Sequence, residues 1–120
     1  MDYSNNLPIY LQVINRIKKD MISGRLPMGE KLPSTRDLAV QYQINPNTAV
    51  RVYKEMEQEN MCYTKRGLGT FVTEDEEVIR KMKQDMAEEV LDNFVREMTE
   101  LGYSKEELIK IIADRLEQGE

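Results

Sequence analysis

The sequence of 120 residues contains no histidine and no tryptophan, and it has a single cysteine, Cys62. The absence of histidine removes the commonest general base and metal ligand from the chain. One cysteine can build neither an internal disulfide nor a cysteine-based zinc site. Since no nucleophile–base pair and no cluster of metal ligands takes their place, the sequence predicts a protein that is not an enzyme, with no catalytic residue, no metal site and no cofactor.

Long apolar runs are also absent. No stretch approaches the roughly 18 consecutive apolar residues that a transmembrane helix needs. The first residues, MDYSNNLP, lack the basic and apolar regions of a signal peptide. We therefore expect a cytoplasmic protein that does not contact a membrane. Its 40% apolar content suffices for one modest domain, or for one domain with an appendage.

The net charge of −5 is distributed unevenly along the chain. Residues 1–73 hold ten Lys and Arg against seven Asp and Glu, a net charge of +3. Residues 74–120 hold seven Lys and Arg against fifteen Asp and Glu, a net charge of −8. The front segment could approach a polyanion and the back segment could not, although surface charge can also drift along a chain by chance. Together with the helix and hairpin patterns of the two segments, this division predicts a DNA-binding domain at residues 1–73 and a helical dimerisation tail at residues 74–120.

Proline, glycine and capping residues mark the helices of the front domain. Pro8, at a first-turn position, opens a helix that ends at Gly24. Ser34 is a favoured N-cap for a second helix of about two turns. Asn45 is a favoured N-cap for a third helix, which begins directly after it with a proline and runs to about residue 60. Two short helices joined by a tight turn, the second with a polar N-terminal face, are typical of a helix-turn-helix.

A change of period after residue 60 indicates a hairpin. Residues 61–72, MCYTKRGLGTFV, are rich in strand formers around a pair of glycines. They predict strands at about 61–65 and 70–72 with a tip at 66–69. A hairpin directly after a helix-turn-helix is a wing. The predicted fold class is therefore mainly α with a small β-hairpin, a winged helix-turn-helix followed by a two-helix C-terminal tail.

The tail is expected to form two helices that pair with a second copy. Capping boxes at residues 73–76 and 104–107 open a long helix and a last helix, and Gly102 separates them. The roughly 47 residues of the tail cannot bury such broad apolar faces alone, and two-fold dimers are the commonest oligomers. Folding of the tail back onto the front domain is the alternative. The predicted dimerisation residues are Met82, Met86, Val90, Phe94, Met98, Leu108 and Ile112.

Polar and basic residues of the front domain suit contact with double-stranded DNA. The N-terminal residues of a recognition helix meet base edges in the major groove, while basic and hydroxyl groups contact phosphates. Taken singly, each residue also has an ordinary role as a cap, a solvated charge or a turn residue, and their ordered combination is what favours DNA. The predicted DNA-binding residues are Ser34, Arg36, Asn45, Asn47, Thr48, Arg51, Lys65, Arg66, Gly67 and Gly69.

Four segments resemble the GntR family of bacterial transcription regulators, in particular its YtrA-like subfamily. They are PIYLQV, ISGRLPMGEKLPSTRDLA, INPNTAVRVYKEME and GLGTFV, in family order between residues 8 and 72. The resemblance implies a winged helix-turn-helix that binds an operator as a dimer, a tail that dimerises, and an association with transporter genes. Many members carry arginine where this chain has Pro46 and Val50, which leaves open which residues read bases. The family pattern is matched at Arg36, Thr48, Gly67 and Gly69.

Two functions of different classes follow as hypotheses. The first is a sequence-specific DNA-binding repressor, a homodimer that reads an inverted-repeat operator with half-sites about one DNA turn apart. The second is a winged-helix protein-interaction module without DNA contact, which the net negative charge and the missing family arginines favour. A steep loss of affinity with added salt would distinguish them. The sequence leaves open an unidentified small-molecule effector between the tail helices.

Overall fold

The computed structural model describes residues 1–119. That part of the chain forms five helices and one two-stranded antiparallel sheet, which confirms the predicted fold class. No helix within it is long and apolar enough to cross a membrane. The elements in chain order are α1 (Ile9–Ser23), α2 (Thr35–Tyr42), α3 (Pro46–Gln58), β1 (Cys62–Lys65), β2 (Gly69–Val72), α4 (Glu76–Glu100) and α5 (Lys105–Gln118).

Side-chain caps begin the two helices of the helix-turn-helix. Ser34 Oγ accepts a hydrogen bond from the backbone N–H of Asp37 at 3.1 Å, so α2 begins at the next residue after its cap. Asn45 Oδ1 accepts from the backbone N–H of Asn47 at 2.7 Å, and α3 begins with Pro46. Each cap satisfies one of the free N–H groups at a helix start. Both predicted N-caps are confirmed.

One hydrophobic core holds α1, α2, α3 and the hairpin together. Tyr53 on α3 is buried, and its hydroxyl donates a hydrogen bond to the carbonyl of Pro33 at 2.6 Å, so this buried polar group is satisfied. Val78 and Ile79 from the start of α4 pack against the same core. The remaining buried members are Val13, Ile14, Ile17, Met21, Leu32, Leu38, Ala39, Tyr42, Ala49, Val52, Met56, Met61, Cys62, Val72 and Met82.

The hairpin forms close to its predicted position. Its register pairs Cys62 with Val72 and Lys65 with Gly69, so each strand boundary lies within one residue of the predicted one. Gly67 has φ +79°, and the carbonyl of Lys65 accepts from the N–H of Leu68 at 2.9 Å. Gly67 is thus the third residue of a tight turn, where a positive φ favours glycine. This confirms the wing and its glycine tip.

The connector between α1 and α2, residues 24–34, pairs with the free edge of β2 through an isolated β-bridge between Lys31 and Phe71. The N–H of Leu32 donates to the carbonyl of Thr70 at 2.7 Å, and the N–H of Val72 donates to the carbonyl of Glu30 at 2.9 Å. The connector is therefore fastened to the wing, although it forms no strand of its own. Its sequence, RLPMGEKLP at residues 25–33, contains two prolines and a glycine and gives no strand pattern.

The start of α4 differs from the predicted capping box. Thr73 Oγ1 accepts from the N–H of Asp75 at 3.1 Å, and Asp75 Oδ1 accepts from the N–H of Glu77 at 2.9 Å. Asp75 therefore caps α4, and the capping box predicted at residues 73–76 is wrong. Asp75 directly precedes the helix, so its short side chain reaches a free N–H of the first turn, whereas the Thr73 hydroxyl reaches the N–H of Asp75 itself.

The start of α5 is as predicted. Ser104 Oγ accepts from the N–H of Glu107 at 3.2 Å, and Glu107 Oε1 accepts from the N–H of Ser104 at 2.9 Å. The two bonds complete a reciprocal capping box. Because the charged carboxylate accepts from the backbone N–H of Ser104, and secondarily interacts with the Ser104 side chain, the pKa of the Glu107 carboxyl lies below its ordinary value.

Two compact units divide the chain. The winged-helix unit covers Met1–Lys83 and includes the first two turns of α4, while the tail unit begins at Gln84. The first turns of α4 belong to the winged-helix unit because Met82 is buried in its core. The functional boundary at residue 73, where the net charge changes sign, stays a prediction.

Candidate nucleic-acid interface

Helix α3 turns a polar face outward. Its apolar residues are buried in the core, and the opposite side of its first turns is exposed. The exposed positions are spaced three and four residues apart, so they form one stripe along the helix. We call this the recognition stripe: Asn47, Val50, Arg51 and Lys54.

The two asparagines at the start of α3 have different surroundings. The side-chain oxygen of Asn45 is occupied by its capping bond. The side-chain amide of Asn47 is exposed, and it makes no hydrogen bond within residues 1–119. Thr48, the next residue, is half-buried. Asn47 thus presents a free donor and a free acceptor at the helix N-terminus, whereas Asn45 has a structural role there.

Arg51 is held against α1. Its guanidinium carbon lies 3.7 Å from the ring centroid of Tyr10, and its Nε lies 3.8 Å from a carboxylate oxygen of Glu55. The Arg51 side chain remains 57% exposed, so one side of it faces solvent. Contacts of this kind at exposed sites contribute about 0.5–1 kcal/mol, mainly by orienting the charge. The guanidinium is therefore presented at the edge of the recognition stripe.

The start of α2 carries a hydroxyl and a cation. Ser34 Oγ accepts the capping bond, which leaves its hydroxyl proton available to donate. Arg36 is exposed and forms no salt bridge within the described residues 1–119. Free N–H groups and a positive charge at a helix start suit an anion.

Aromatic rings support the basic residues of the wing. The rings of Tyr63 and Phe71 stack across the hairpin with centroids 5.8 Å apart. Lys65 Nζ lies 5.1 Å from the Phe71 centroid and 5.7 Å from the Tyr63 centroid. Arg66 follows at the exposed tip. The hairpin thus presents two cations at its end.

A hydrogen bond joins the wing to the recognition helix. Thr64 Oγ1 on β1 donates to Glu57 Oε2 on α3 at 2.9 Å. It reinforces the packing of α3 against β1, where Met56 and Cys62 are buried. The wing and the recognition stripe are therefore parts of one compact unit.

Lys31, in the connector between α1 and α2, is a basic residue that the sequence reasoning missed. It is exposed and lies opposite Phe71, and its side chain crosses Gly69. A Cβ at Gly69 would lie 2.7 Å from Lys31 Cε, and Gly69 has φ +123°, so glycine gives both the space and the backbone conformation. The alternation of exposed Lys31 with buried Leu32 was the available signal, but it is too short to predict a strand. We call Lys31, Lys65 and Arg66 the basic wing cluster.

The predicted dimerisation residues fall into three groups. Met82 is buried in the winged-helix core, and Leu108 is buried in the tail unit, so neither is available at the surface. The half-buried group is Met86, Phe94 and Met98. Val90, at 67% exposed, and Ile112, at 37%, are open to solvent. Further exposed apolar residues of the tail unit that were not predicted are Leu91, Val95, Leu101, Ile109 and Leu116.

The winged-helix unit presents groups that can bind a ligand. Within residues 1–119, no group of three or more Asp, Glu or Cys side chains is placed to hold a metal ion. What the winged-helix unit presents instead is a capped polar helix start, a cation on the preceding helix and a basic hairpin. These features define the unit as a winged helix-turn-helix, a class of DNA-binding domain.

Residues 9–72, more than half of the chain, match the family described as "Bacterial regulatory proteins, gntR family". The chain therefore belongs to the GntR family, which confirms the resemblance. It is a DNA-binding transcriptional regulator. Since regulators of this family act by binding DNA and not by catalysis, family membership also supports the expectation that the chain is not an enzyme.

Relatives extend the similarity into the tail. The HTH-type transcriptional regulator YhcF of Bacillus subtilis is 41% identical over 117 residues, which cover 98% of this chain and 97% of YhcF. The HTH-type transcriptional repressor YtrA of the same organism is 35% identical over 109 residues, 90% of this chain and 84% of YtrA. A solved GntR family transcriptional regulator from Listeria monocytogenes has a TM-score of 0.84 and 36% identity, and covers 93% of this chain and 98% of its own.

Proposed function

We propose that the protein is a homodimeric repressor that binds an inverted-repeat operator. The observation that carries the proposal is the exposed N-terminal end of α3, where Asn47 presents an unbonded amide on the same stripe as the exposed Arg51 and Lys54. A helix start of this kind fits a B-DNA major groove, which admits one helix. The proposal follows the class of the protein but adds its oligomeric state, its operator and its effect on transcription.

Base reading and phosphate contact are assigned to different parts of the winged-helix unit. Asn47 and Thr48 lie at the end of α3 and contact base edges. Ser34, Arg36 and Arg51 surround that end and contact phosphates, which fixes the register of the helix on the duplex. The basic wing cluster, with Gly67 and Gly69 beside it, approaches the sugar–phosphate backbone or enters the minor groove.

The second copy of the chain is the proposed partner of the tail. Val90, Leu116 and their exposed apolar neighbours lie on α4 and α5 at helical spacing. Apolar residues exposed along two helices are typical of a surface that contacts another protein. DNA is excluded as the partner of the tail, because residues 74–120 carry a net charge of −8. A two-fold contact would also place one recognition helix on each half of an inverted repeat.

Repression, target genes and compartment follow from relatives as part of the proposal. The similar regulator YtrA is named a repressor, and we propose the same effect on transcription for this chain. The resemblance to the YtrA-like subfamily makes transporter genes the first candidate targets. The operator lies on the bacterial chromosome, so we expect the protein to act in the cytoplasm. The proposal does not require a small-molecule effector.

Selection of bound fragments from genomic DNA by the purified full-length chain tests the proposal. We expect enrichment of an inverted repeat with half-site centres roughly 34 Å apart, one turn of DNA. The control is the variant Lys65→Gln, Arg66→Gln, which should enrich the same sequence at lower yield. Failure of the folded wild-type chain to enrich any sequence would contradict the proposal.

A protein-interaction module is the second candidate function. The ion pair of Arg51 with Glu55 favours it, because it partly neutralises a cation of the recognition stripe. The dependence of DNA affinity on salt concentration distinguishes the two functions. Contact with about six to ten phosphates predicts a loss of affinity on the order of a thousandfold or more between 50 and 200 mM salt. An affinity for DNA that barely changes over this range would favour the interaction module.

A further inference from the structure

The recognition stripe contains an apolar side chain, Val50, that the proposed contacts leave unexplained. Val50 lies one helical turn after Asn47 and one turn before Lys54, and its side chain is 51% exposed. Its neighbours Ala49 and Val52 are buried on the other side of α3. Val50 therefore faces outward with the polar residues of the stripe and contributes little to the core.

Helix stability does not account for a valine at this position. Valine forms helices less readily than alanine, lysine or arginine, because its branched side chain loses rotamer freedom. The same restriction has a use in binding. A β-branched side chain in a helix holds one strongly preferred χ1 rotamer, so its two methyl groups are already fixed before a ligand arrives. The exposed surface at Val50 is thus small, apolar and rigid.

The edges of B-DNA base pairs offer one apolar group in the major groove, the C5-methyl of thymine. A valine can neither donate nor accept a hydrogen bond. Placed against guanine or cytosine, it would cover polar groups without replacing their bonds to water, which is unfavourable. Placed against thymine, it removes two apolar surfaces from water.

We propose that Val50 is a specificity-determining residue that packs on the C5-methyl of a thymine in each half-site. The inference rests on the proposed function, since it needs α3 in the major groove. Three residues of helix rise by about 4.5 Å, so Asn47 and Val50 reach neighbouring base pairs. Asparagine pairs with the N6 and N7 groups of adenine. The half-site therefore contains an adenine next to or one step from the thymine that Val50 reads.

Replacing thymine by uracil tests the contact, because uracil keeps every hydrogen-bonding group and lacks only the methyl. Each thymine of one half-site in the selected operator is replaced singly, and binding is measured for the full-length wild type, Val50→Ala and Val40→Ala. The matched control is Val40, a valine on α2 that is 74% exposed. We expect one position where uracil weakens wild-type binding about fourfold, the equivalent of burying one methyl at about 0.8 kcal/mol.

Whether the uracil effect depends on the side chain at position 50 decides whether Val50 contacts the thymine methyl. At the sensitive position, Val50→Ala should bind thymine and uracil operators nearly equally, while Val40→Ala should keep the fourfold preference. Alanine favours helix, so the Val50→Ala variant should remain folded. The inference is overturned if no position is sensitive to uracil, or if Val50→Ala retains the full preference. In both cases the operator is still bound, whereas a folded wild type that binds no DNA overturns the proposed function and this inference together.

Discussion

Arg36 and Asn47 lie at the starts of successive helices, but they are expected to contribute differently to DNA binding. Arg36 is an exposed cation beside the N-terminus of α2, whereas Asn47 presents an unbonded amide at the N-terminus of α3. Arg36→Ala should weaken binding to all DNA and flatten the salt slope by about one unit per protomer. Asn47→Ala should cost about 1–3 kcal/mol of discrimination at one base position.

Titrations of both variants with operator and random DNA at several salt concentrations measure the difference. The Arg36→Ala variant should lose affinity for both DNA samples by the same factor. Equal losses on the two samples for Asn47→Ala would remove its base-reading role.

Lys31 is predicted to act with the wing, although it precedes it in sequence by more than thirty residues. Its side chain crosses Gly69, directly opposite Lys65 in the hairpin register. Lys31→Gln should therefore reduce the salt slope of DNA binding by about one unit per protomer. Lys19→Gln, an exposed lysine of α1, is the control and should bind as the wild type does. A wild-type salt slope in Lys31→Gln would exclude Lys31 from the interface.

Cys62 is expected to be unreactive in the folded protein. Burial, and secondarily the nearby Glu57 charge, raises the pKa of its thiol to about 12. The reactive thiolate is then scarce at neutral pH, and the buried sulfur is also inaccessible to reagent. Iodoacetamide at pH 8 should leave the folded chain unmodified, and it should label the same cysteine in urea. Mass spectrometry reads both results, and rapid labelling without urea would contradict the assignment.

At the scale of elements, Asn45 allows helix capping and DNA contact to be separated. Asn45→Ala removes the capping acceptor and should lower the free energy of unfolding by about 1 kcal/mol. Asn45→Asp keeps an acceptor for the N–H of Asn47, so its stability should match the wild type. Its negative charge would face phosphate, and DNA binding should fall by at least about tenfold. Wild-type DNA affinity in Asn45→Asp would show that this end of α3 does not face the backbone.

Signals confined to a few residues predicted the elements well. The helix starts at Ser34, Asn45 and Ser104 follow from side chains that bond N–H groups two or three residues away. The start of α4 was assigned to the wrong cap because two capping residues lie two positions apart. Thr73 fits the capping pattern, but it accepts from the N–H of Asp75, and Asp75 accepts from the N–H of Glu77 inside the helix. Local patterns identify candidate caps, and geometry chooses between them.

The pairing of the connector with β2 was not predicted because it is nonlocal. Its bonds reach from Glu30 and Leu32 to residues of β2 some forty positions later. A single bridge between a glycine and a proline leaves no alternation of apolar and polar residues to recognise. The position of Lys31 in the wing depends on this pairing, so this part of the candidate site was missed with it.

At the scale of the whole molecule, the tail is expected to hold two copies together through exposed apolar residues. Val90→Glu places a charge on the tail surface of α4 and should convert a dimer to a monomer without unfolding the chain, because Val90 is 67% exposed. Val40→Glu, on α2, is the matched control and should remain dimeric. Sedimentation at micromolar concentration distinguishes them. A monomeric wild type would contradict dimerisation through the tail.

The charge division along the chain was visible in the sequence, but the division of the apolar residues was not. Met82 and Val90 follow the same helical period, yet Met82 is buried in the winged-helix core and Val90 is exposed. Periodicity reports that a face is apolar, not which surface covers it. Burial within one chain and burial between two copies therefore have the same sequence pattern. Only the structure showed that Met82 and Leu108 are covered within the chain itself.

The stoichiometry of the complex with operator DNA tests the central claim most directly. Full-length protein and a duplex that carries one selected inverted repeat are mixed, and the mass of the complex is measured by sedimentation. We expect two protomers per duplex, and Val90→Glu should shift the complex towards one protomer with much weaker binding. A single wild-type protomer bound to the whole repeat, or no complex with folded protein, would contradict the account of a dimeric operator-binding regulator.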